Sequence, residues 1–417
     1  MSELNIETDP AKLGLDSERL GRIDAHFARY VADGRLAGWL LTVRRHGQLA
    51  YVARAGHRDL EAGLPVTDDT LWRIYSMTKP ITSVAAMLLY EEGKIGLNDP
   101  VSEFIPAFAD MKVYTGGSDQ KQVTVPATEP IRVWHLLTHT SGLTYGFHRT
   151  HPVDAVYRAG GFEWGNPPGL DLAGVCDRYA SFPLLFQPGT EWNYSVSTDV
   201  LGRVVEVASG QTLEEFFAAR IFSPLGMTDT SFWAGPETAP RLAALYQPGP
   251  GGQAKRLDAM GQAALKAPRV LSGGGGLLST AADYNRFLSM LVDLPDKDSP
   301  AGELDGVRLL SPRTVRYMAR NHLPGHQDLE SFGRPLYAES PFRGIGFGLG
   351  FAVVIDPAAG KVTCSPGELS WGGAASTTFW IDAEAGLTVS FFTQLLPSST
   401  YPIRPQLRQL VYQALTD

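Results

Sequence analysis

Strand-like and helix-like segments are not spread evenly along this chain. The strand-like ones gather at its two ends and leave a helix-rich middle, which limits its possible folds more than any other feature. Near the start, Trp39-Leu40-Leu41-Thr42-Val43-Arg44-Arg45 and Gln48-Leu49-Ala50-Tyr51-Val52-Ala53 flank a short His46-Gly47 connection, the pattern of a β-hairpin. Near the end, residues 350–355, 361–364, 377–381 and 387–394 are β-rich, with the turn-forming segments 356–360 and 382–386 between them. Amphipathic helices bracket these strands. One carries Leu15, Leu20, Ile23, Phe27, Tyr30 and Val31 behind the capping residue Asp16; the other opens at Pro405 and carries Leu407, Leu410, Val411, Ala414 and Leu415. The middle offers helices at 81–92, 133–137, 170–179, 200–208, 213–221 and 281–291, joined by Gly/Pro-rich loops. The simplest fold is α+β: an antiparallel sheet flanked by helices and built from both chain ends, plus an inserted, mostly helical domain. Residues 114–130, 247–252 and 323–343 read as long loops, which are often functional.

A chain of 417 residues has room for two or three structural units at roughly 150 residues each. Its 36 basic and 44 acidic residues leave a net charge of −8 with no compact Lys/Arg run, which argues against nucleic acid as a partner. Cys176 and Cys364 can close at most one disulfide, so this is no disulfide-built scaffold. The acidic, polar start from Met1 to Glu7 lacks the basic and apolar parts of an export signal. The longest clean apolar run, residues 84–90, falls far short of the ~20 residues of a membrane span. The expectation is a soluble cytoplasmic protein with no membrane partner.

Ser76-Met77-Thr78-Lys79 precedes Pro80 and an apolar helical pattern that stops at Gly93. Residues three apart share a helical face, so the Lys79 ammonium can approach the Ser76 hydroxyl, while the positive end of the helix dipole favours a developing alkoxide. Those are the conditions of an activated nucleophile. The spacing alone is weak evidence, because Ser118-Asp119-Gln120-Lys121 repeats it. Ser118, however, follows Gly116-Gly117 in a polar loop with no helix to orient it. For Ser76 the remaining plain alternative is an ordinary helix-capping serine.

Five segments in order then become recognisable: Ser76-Met77-Thr78-Lys79, His135-Leu136-Leu137-Thr138-His139-Thr140-Ser141-Gly142-Leu143, Pro188-Gly189-Thr190-Glu191-Trp192-Asn193-Tyr194-Ser195, Pro224-Leu225-Gly226-Met227, and the run Gly273 to Thr280. Together they resemble the serine hydrolases with a class C β-lactamase fold, and within these most nearly the family VIII carboxylesterases. The resemblance spans nearly the whole chain. It implies Ser76 as nucleophile and a tyrosine beside nucleophile and lysine, a position that Tyr194 matches. A neighbouring ammonium favours phenolate, so Tyr194 and Lys79 can share proton transfer. It also implies an oxyanion hole from the backbone N–H groups of Ser76 and Ala374, with Gly372 and Gly373 allowing close approach.

Two departures from the β-lactamase pattern point toward neutral esters. Where β-lactamases carry Lys-Thr-Gly, this chain has Trp371-Gly372-Gly373, and the esterase branch resembles that form. Trp371 offers an apolar wall instead of a point charge for a substrate carboxylate. Val196 stands where the β-lactamase motif places an asparagine.

Other chemistries lose support on inspection. His135 and His139 are four apart, but no Glu follows His135, so the zinc-protease motif fails and a structural role at a helix end is expected. His148 and His151 belong to a loop that could line the site mouth. Gly273 to Gly276 is no phosphate loop, and Thr280-Ala281-Ala282-Asp283 reads as a capping box. Gly-x-Ser-x-Gly is absent, which removes the α/β-hydrolase elbow. No metal and no cofactor are expected. The sequence therefore predicts a sheet domain of residues 1–80 and 225–417, a helical domain of residues 81–224, and an active site between them that cleaves carboxylic esters through an acyl-enzyme on Ser76. Acyl transfer to an alcohol, D-aminopeptidase or DD-peptidase action and weak β-lactam hydrolysis are alternatives on the same fold. A catalytically inactive binding module is the rival from another class.

Overall fold

Trp39 to Val43 is apolar at almost every position, so this strand must be covered on both faces rather than one. In the computed structural model, which describes residues 4–292, 300–334 and 342–417, it is. Trp39, Leu41 and Val43 join Ile23, Phe27, Leu407 and Val411 in one core. Leu40 and Phe392 face the other way, into the core of Ile81, Val84 and Phe287. Helices Ser17–Ala32 and Ile403–Tyr412 thus cover one face of the sheet, and Thr78–Glu91 and Ala281–Leu291 pack toward the other.

The sheet has eight strands, ordered Ile345–Phe347, Ala352–Val354, Leu369–Gly372, Thr378–Asp382, Leu387–Phe392, Gly38–Arg45, Gln48–Asp59 and Leu64–Pro65, every neighbour antiparallel. The two chain ends meet where Gly38–Arg45 pairs with Leu387–Phe392, from Leu40 opposite Phe392 to Arg45 opposite Leu387. At that seam Thr42 Oγ1 and Ser390 Oγ lie 2.7 Å apart, and both reach Asn285 Oδ1, at 3.1 and 2.9 Å. The Ala281–Leu291 helix is pinned there.

Several sequence readings shift in detail. The 114–130 stretch is not an open loop, because Lys112–Gly117 and Gln122–Pro126 pair as a hairpin. Val113 is its one buried side chain, and Val123 and Val125 alternate on an exposed strand, an apolar signal too short to announce the ladder. Tyr246–Pro248 likewise pairs with Ala254–Arg256 across the 247–252 stretch. Residues 361–364, expected as a strand, are not one; Lys361 adopts φ 54° after the short helix Pro357–Gly360, and the next strand begins at Leu369. The 323–343 stretch contains the turns Pro324–His326 and Leu329–Phe332, while 335–341 lie outside the described residues. The last helix starts at Ile403, two residues before Pro405, which sits in its first turn. Among the described residues no helix is long and apolar enough to cross a membrane.

Candidate active site

Ser76 is held by a turn whose every approach is fixed. Trp72–Arg73 pairs with Leu278–Ser279. The buried Arg73 guanidinium donates to Ala243 O at 2.6 Å and to Gln394 Oε1 at 3.3 Å, while Gln394 Nε2 returns a bond to Arg73 O at 3.1 Å. Tyr75 then takes φ 43°, left-handed and costly by about 1–3 kcal/mol for a residue with a Cβ. The bonds Ile74 N to Leu277 O (3.1 Å), Met77 N to Ile74 O (3.0 Å) and Tyr284 OH to Met77 O (2.9 Å) hold it there. The Thr78–Glu91 helix follows, its N-cap being Met77 without a side-chain cap. Ser76 is therefore not the capping serine, and its hydroxyl points to other partners.

Those partners are Lys79 and Tyr194. Tyr194 OH lies 2.7 Å from Ser76 Oγ, and Lys79 Nζ lies 3.2 Å from it. Lys79 is 1% exposed and also donates to Gly274 O at 2.8 Å and Tyr145 OH at 3.2 Å, so the three protons of an ammonium have three acceptors. Among the described residues no carboxylate pairs with it. Its ammonium also lies 4.6 Å from the centre of the Tyr194 ring. Trp371 Nε1 lies 3.4 Å from Tyr194 OH.

Each partner is itself positioned. Asn193 Nδ2 donates to Leu143 O at 3.0 Å, and His148 Nε2 to Tyr194 O at 2.7 Å. The ring of His139 packs 4.9 Å from that of Tyr194, and its Nδ1 lies 3.2 Å from Ser195 Oγ. Burial, and after it the Lys79 charge, holds His139 well below the usual imidazole range; burial also lowers His148. Both are held below the usual imidazole range beside Tyr194 and are not placed as a base for Ser76; His148 is half-buried against Tyr145 and Phe147. His151 caps the helix Pro152–Ala159. His135 closes its own helix by accepting from Arg132 N at 2.9 Å, the structural role expected of it. Among the described residues no cluster of three metal-ligating side chains occurs.

Gly372 and Gly373 stand where a side chain would meet close neighbours. A Cβ on Gly373 would fall 2.5 Å from Ile74 O, the backbone of the nucleophile turn, and one on Gly372 would meet the Arg404 guanidinium at 2.2 Å. Arg404 Nη2 donates to Gly373 O at 3.0 Å and Thr377 O at 3.1 Å, clamping the turn that carries Ala374. Among the described residues neither Ser76 N nor Ala374 N has a backbone acceptor.

Two participants escape sequence reasoning. One is Gly274, whose carbonyl receives Lys79 while its N–H donates to Asp199 Oδ1 at 3.1 Å; the glycine run is a seat for the lysine. The other is Tyr145, three residues after Gly142, where no spacing marks it. Burial first, and neighbouring Tyr194 second, raise its phenol well above the usual range. Tyr145 thus stays a neutral hydroxyl that accepts from Lys79 and cannot serve as a second base. Ser118 lies in the hairpin turn, where its hydroxyl accepts from Lys121 N at 3.1 Å. The Thr280 box is only half made: Thr280 Oγ1 accepts from Asp283 N, but Asp283 turns to Asp229 N at 2.8 Å and Thr230 Oγ1 at 2.9 Å.

The chain is similar to known proteins along nearly its whole length. The family model described as Beta-lactamase matches residues 23–413. Protein Rv1367c of Mycobacterium tuberculosis is 38% identical over 374 residues, 88% of each chain. Esterase EstB of Burkholderia gladioli is 34% identical over 424 residues, 97% of this chain and 98% of that one. Among solved structures, EstCE1, a hydrolase with promiscuous acyltransferase activity, superposes with a TM-score of 0.79 at 27% identity, covering 95% of this chain and 99% of its own.

Proposed function

The chain belongs to the beta-lactamase family, and on that premise we propose that it is a family VIII serine carboxylesterase that forms an acyl-enzyme on Ser76. The single observation that carries the reading is the convergence on Ser76 Oγ of Tyr194 OH at 2.7 Å and Lys79 Nζ at 3.2 Å. Ser76 attacks the ester carbonyl as its proton passes to the Tyr194 oxygen, which enters the step as the phenolate paired with the Lys79 ammonium. The N–H groups of Ser76 and Ala374 receive the oxyanion. The same pair returns the proton to the departing alkoxide, and water then cleaves the acyl-enzyme by the reverse route. Lys79 keeps an acceptor in Gly274 O throughout.

The same reading divides the chain into a sheet unit of residues 1–80 and 225–417 and a helical unit of residues 81–224. Ser76, Lys79 and Trp371 belong to the first, and Tyr194 belongs to the second. Trp371, half-buried with its indole N–H toward Tyr194, is the apolar wall that suits a neutral ester better than an anionic lactam.

Intact-protein mass spectrometry during turnover of p-nitrophenyl butyrate tests the reading. The expected result is one butyryl adduct, mapped to Ser76 and absent from Ser76→Ala; turnover without an adduct and undiminished in that variant would sink it. A second outcome for the same intermediate, transfer to an alcohol, has the similarity to EstCE1 in its favour. Added butanol would reveal it as butyl butyrate formed at the expense of butyrate.

A further inference from the structure

The aromatic lining does not end at Tyr145. Phe147 stacks on Tyr145 with centroids 4.7 Å apart and planes at 19°, and Trp164 stacks on Phe147 at 4.9 Å and 12°. At the inner end Tyr145 meets Tyr194 at 5.3 Å. A ladder of rings thus runs from the proton-transfer pair to the surface, where Trp164 is 56% exposed. Two loops hold its rungs in register. Phe147 rides on the turn Gly146–His148, which Arg149 closes at φ 57°, and Trp164 on the segment after Pro152–Ala159. Arg158 Nη1 donates to Gly146 O at 2.6 Å, a Cβ on Gly146 would fall 2.3 Å from Phe162 O, and Arg149 pairs with Glu163. An indole left this open at the end of a rigid stack that is continuous with the catalytic centre is a surface built for a flat apolar group.

We propose that this ladder is the subsite for the alcohol portion of the substrate, and that it selects esters whose alcohol is aryl or fused-ring. This inference rests on the esterase reading. The side follows from the chemistry: the carbonyl oxygen turns to Ser76 N and Ala374 N beside Trp371, whereas the leaving oxygen must face Tyr194 and Lys79. Tyr145 is the ring that touches both, through its hydroxyl 3.2 Å from Lys79 Nζ and its ring 5.3 Å from that of Tyr194.

Three esters test it: 2-naphthyl acetate, with the flat group on the alcohol; methyl 2-naphthoate, with the same group on the acid; and vinyl acetate, with neither. In Trp164→Ala the kcat/KM ratio of 2-naphthyl acetate to vinyl acetate is expected to fall roughly fivefold, mainly through KM, while the ratio of methyl 2-naphthoate to vinyl acetate holds. Phe147→Leu, a milder change at a half-buried rung, is expected to move the same ratio in the same direction. A naphthyl ratio unmoved in both variants would overturn the proposal. So would a loss that falls on methyl 2-naphthoate, or a shift in oligomeric state by light scattering without any change in the ratio, which would assign the ladder to a contact between copies. Wild-type failure on all three esters would sink the esterase reading itself and this proposal with it.

Discussion

Ser76 Oγ sits between the Tyr194 oxygen and the Lys79 ammonium and makes no helix-capping bond, so its removal separates chemistry from stability. Ser76→Ala is expected to abolish ester hydrolysis with an unchanged melting temperature. Ser118→Ala is expected to be silent in the same assay, since that hydroxyl only accepts from Lys121 N; a dead Ser118 variant would overturn the assignment. Lys79→Ala and Tyr194→Phe each remove part of one proton relay, so each is expected to lower kcat far more than it raises KM, and their combination to cost much less than the product of the two losses. Trp371 decides substrate charge. Without a lysine at that position an incoming carboxylate forgoes a charge-assisted hydrogen bond of about 1.5–3 kcal/mol, so neutral esters should exceed cephalosporins by orders of magnitude in kcat/KM, and Trp371→Lys should narrow the gap. Cephalosporin turnover matching the best ester would refute the esterase reading. At this scale the sequence was readable where a residue had a fixed neighbour in the chain, as Lys79 has in Ser76. Tyr145 reaches Lys79 across 66 positions and is one of 15 tyrosines, so only the folded chain singles it out.

Among the elements, the turn after the strand Leu369–Gly372 is the one on which the oxyanion hole depends, and its two glycines are not equivalent. An added Cβ at Gly372 meets the Arg404 guanidinium at 2.2 Å and pushes on the clamp that holds Gly373 O and Thr377 O, whereas one at Gly373 meets the carbonyl of Ile74 at 2.5 Å, in a backbone already fixed on both flanks. Gly373→Ala should therefore displace Ala374 N from the nucleophile directly and lower kcat by about 10²-fold or more, the scale of losing an oxyanion donor, while Gly372→Ala, which acts on the turn only through the Arg404 clamp, loses less. Equal losses, read by steady-state kinetics on one ester, would show that the turn is not set by the Ile74 contact. Element by element, the sequence was clearest where apolar residues recur with one period: the first helix behind Asp16, the hairpin across His46-Gly47, and the strand Leu387–Phe392. It failed where the apolar signal is short or misplaced. In the hairpin Lys112–Gly117 with Gln122–Pro126 only Val113 is buried, while Val123 and Val125 stay exposed, and residues 361–364 carry apolar spacing in a segment that opens on a left-handed Lys361.

For the molecule as a whole, one buried core runs from Leu40 and Phe392 of the sheet to Val133 and Leu136 of the helical stretch, so buried titrating groups there act on global stability. His135, His139 and His148 are all held neutral in the fold by burial, below the usual imidazole range, His135 down to about 3. Its geometry demands this, because Nδ1 accepts the Arg132 N–H at 2.9 Å and cannot do so when protonated. In the unfolded chain each imidazole titrates near pH 6.5. Below that pH the unfolded state binds protons that the folded state refuses, so stability is intact above about pH 6.5 and falls as pH drops. His135 alone contributes a loss of about 1.4 kcal/mol at pH 5.5. Asp283 acts with the opposite sign: burial raises its folded carboxyl to about 6, so acidification from pH 7.5 to 5.5 recovers roughly 0.8 kcal/mol there. Burial lowers His151 and His322 as well, so with five histidines against one aspartate the urea midpoint should fall between pH 7.5 and 5.5. His135→Asn should be less stable than the wild type at pH 7.5, yet should lose less on going to pH 5.5, because one proton fewer is taken up on unfolding. If the variant and the wild type lose stability equally over that interval, His135 is not neutral in the fold, and the acid sensitivity belongs to other groups.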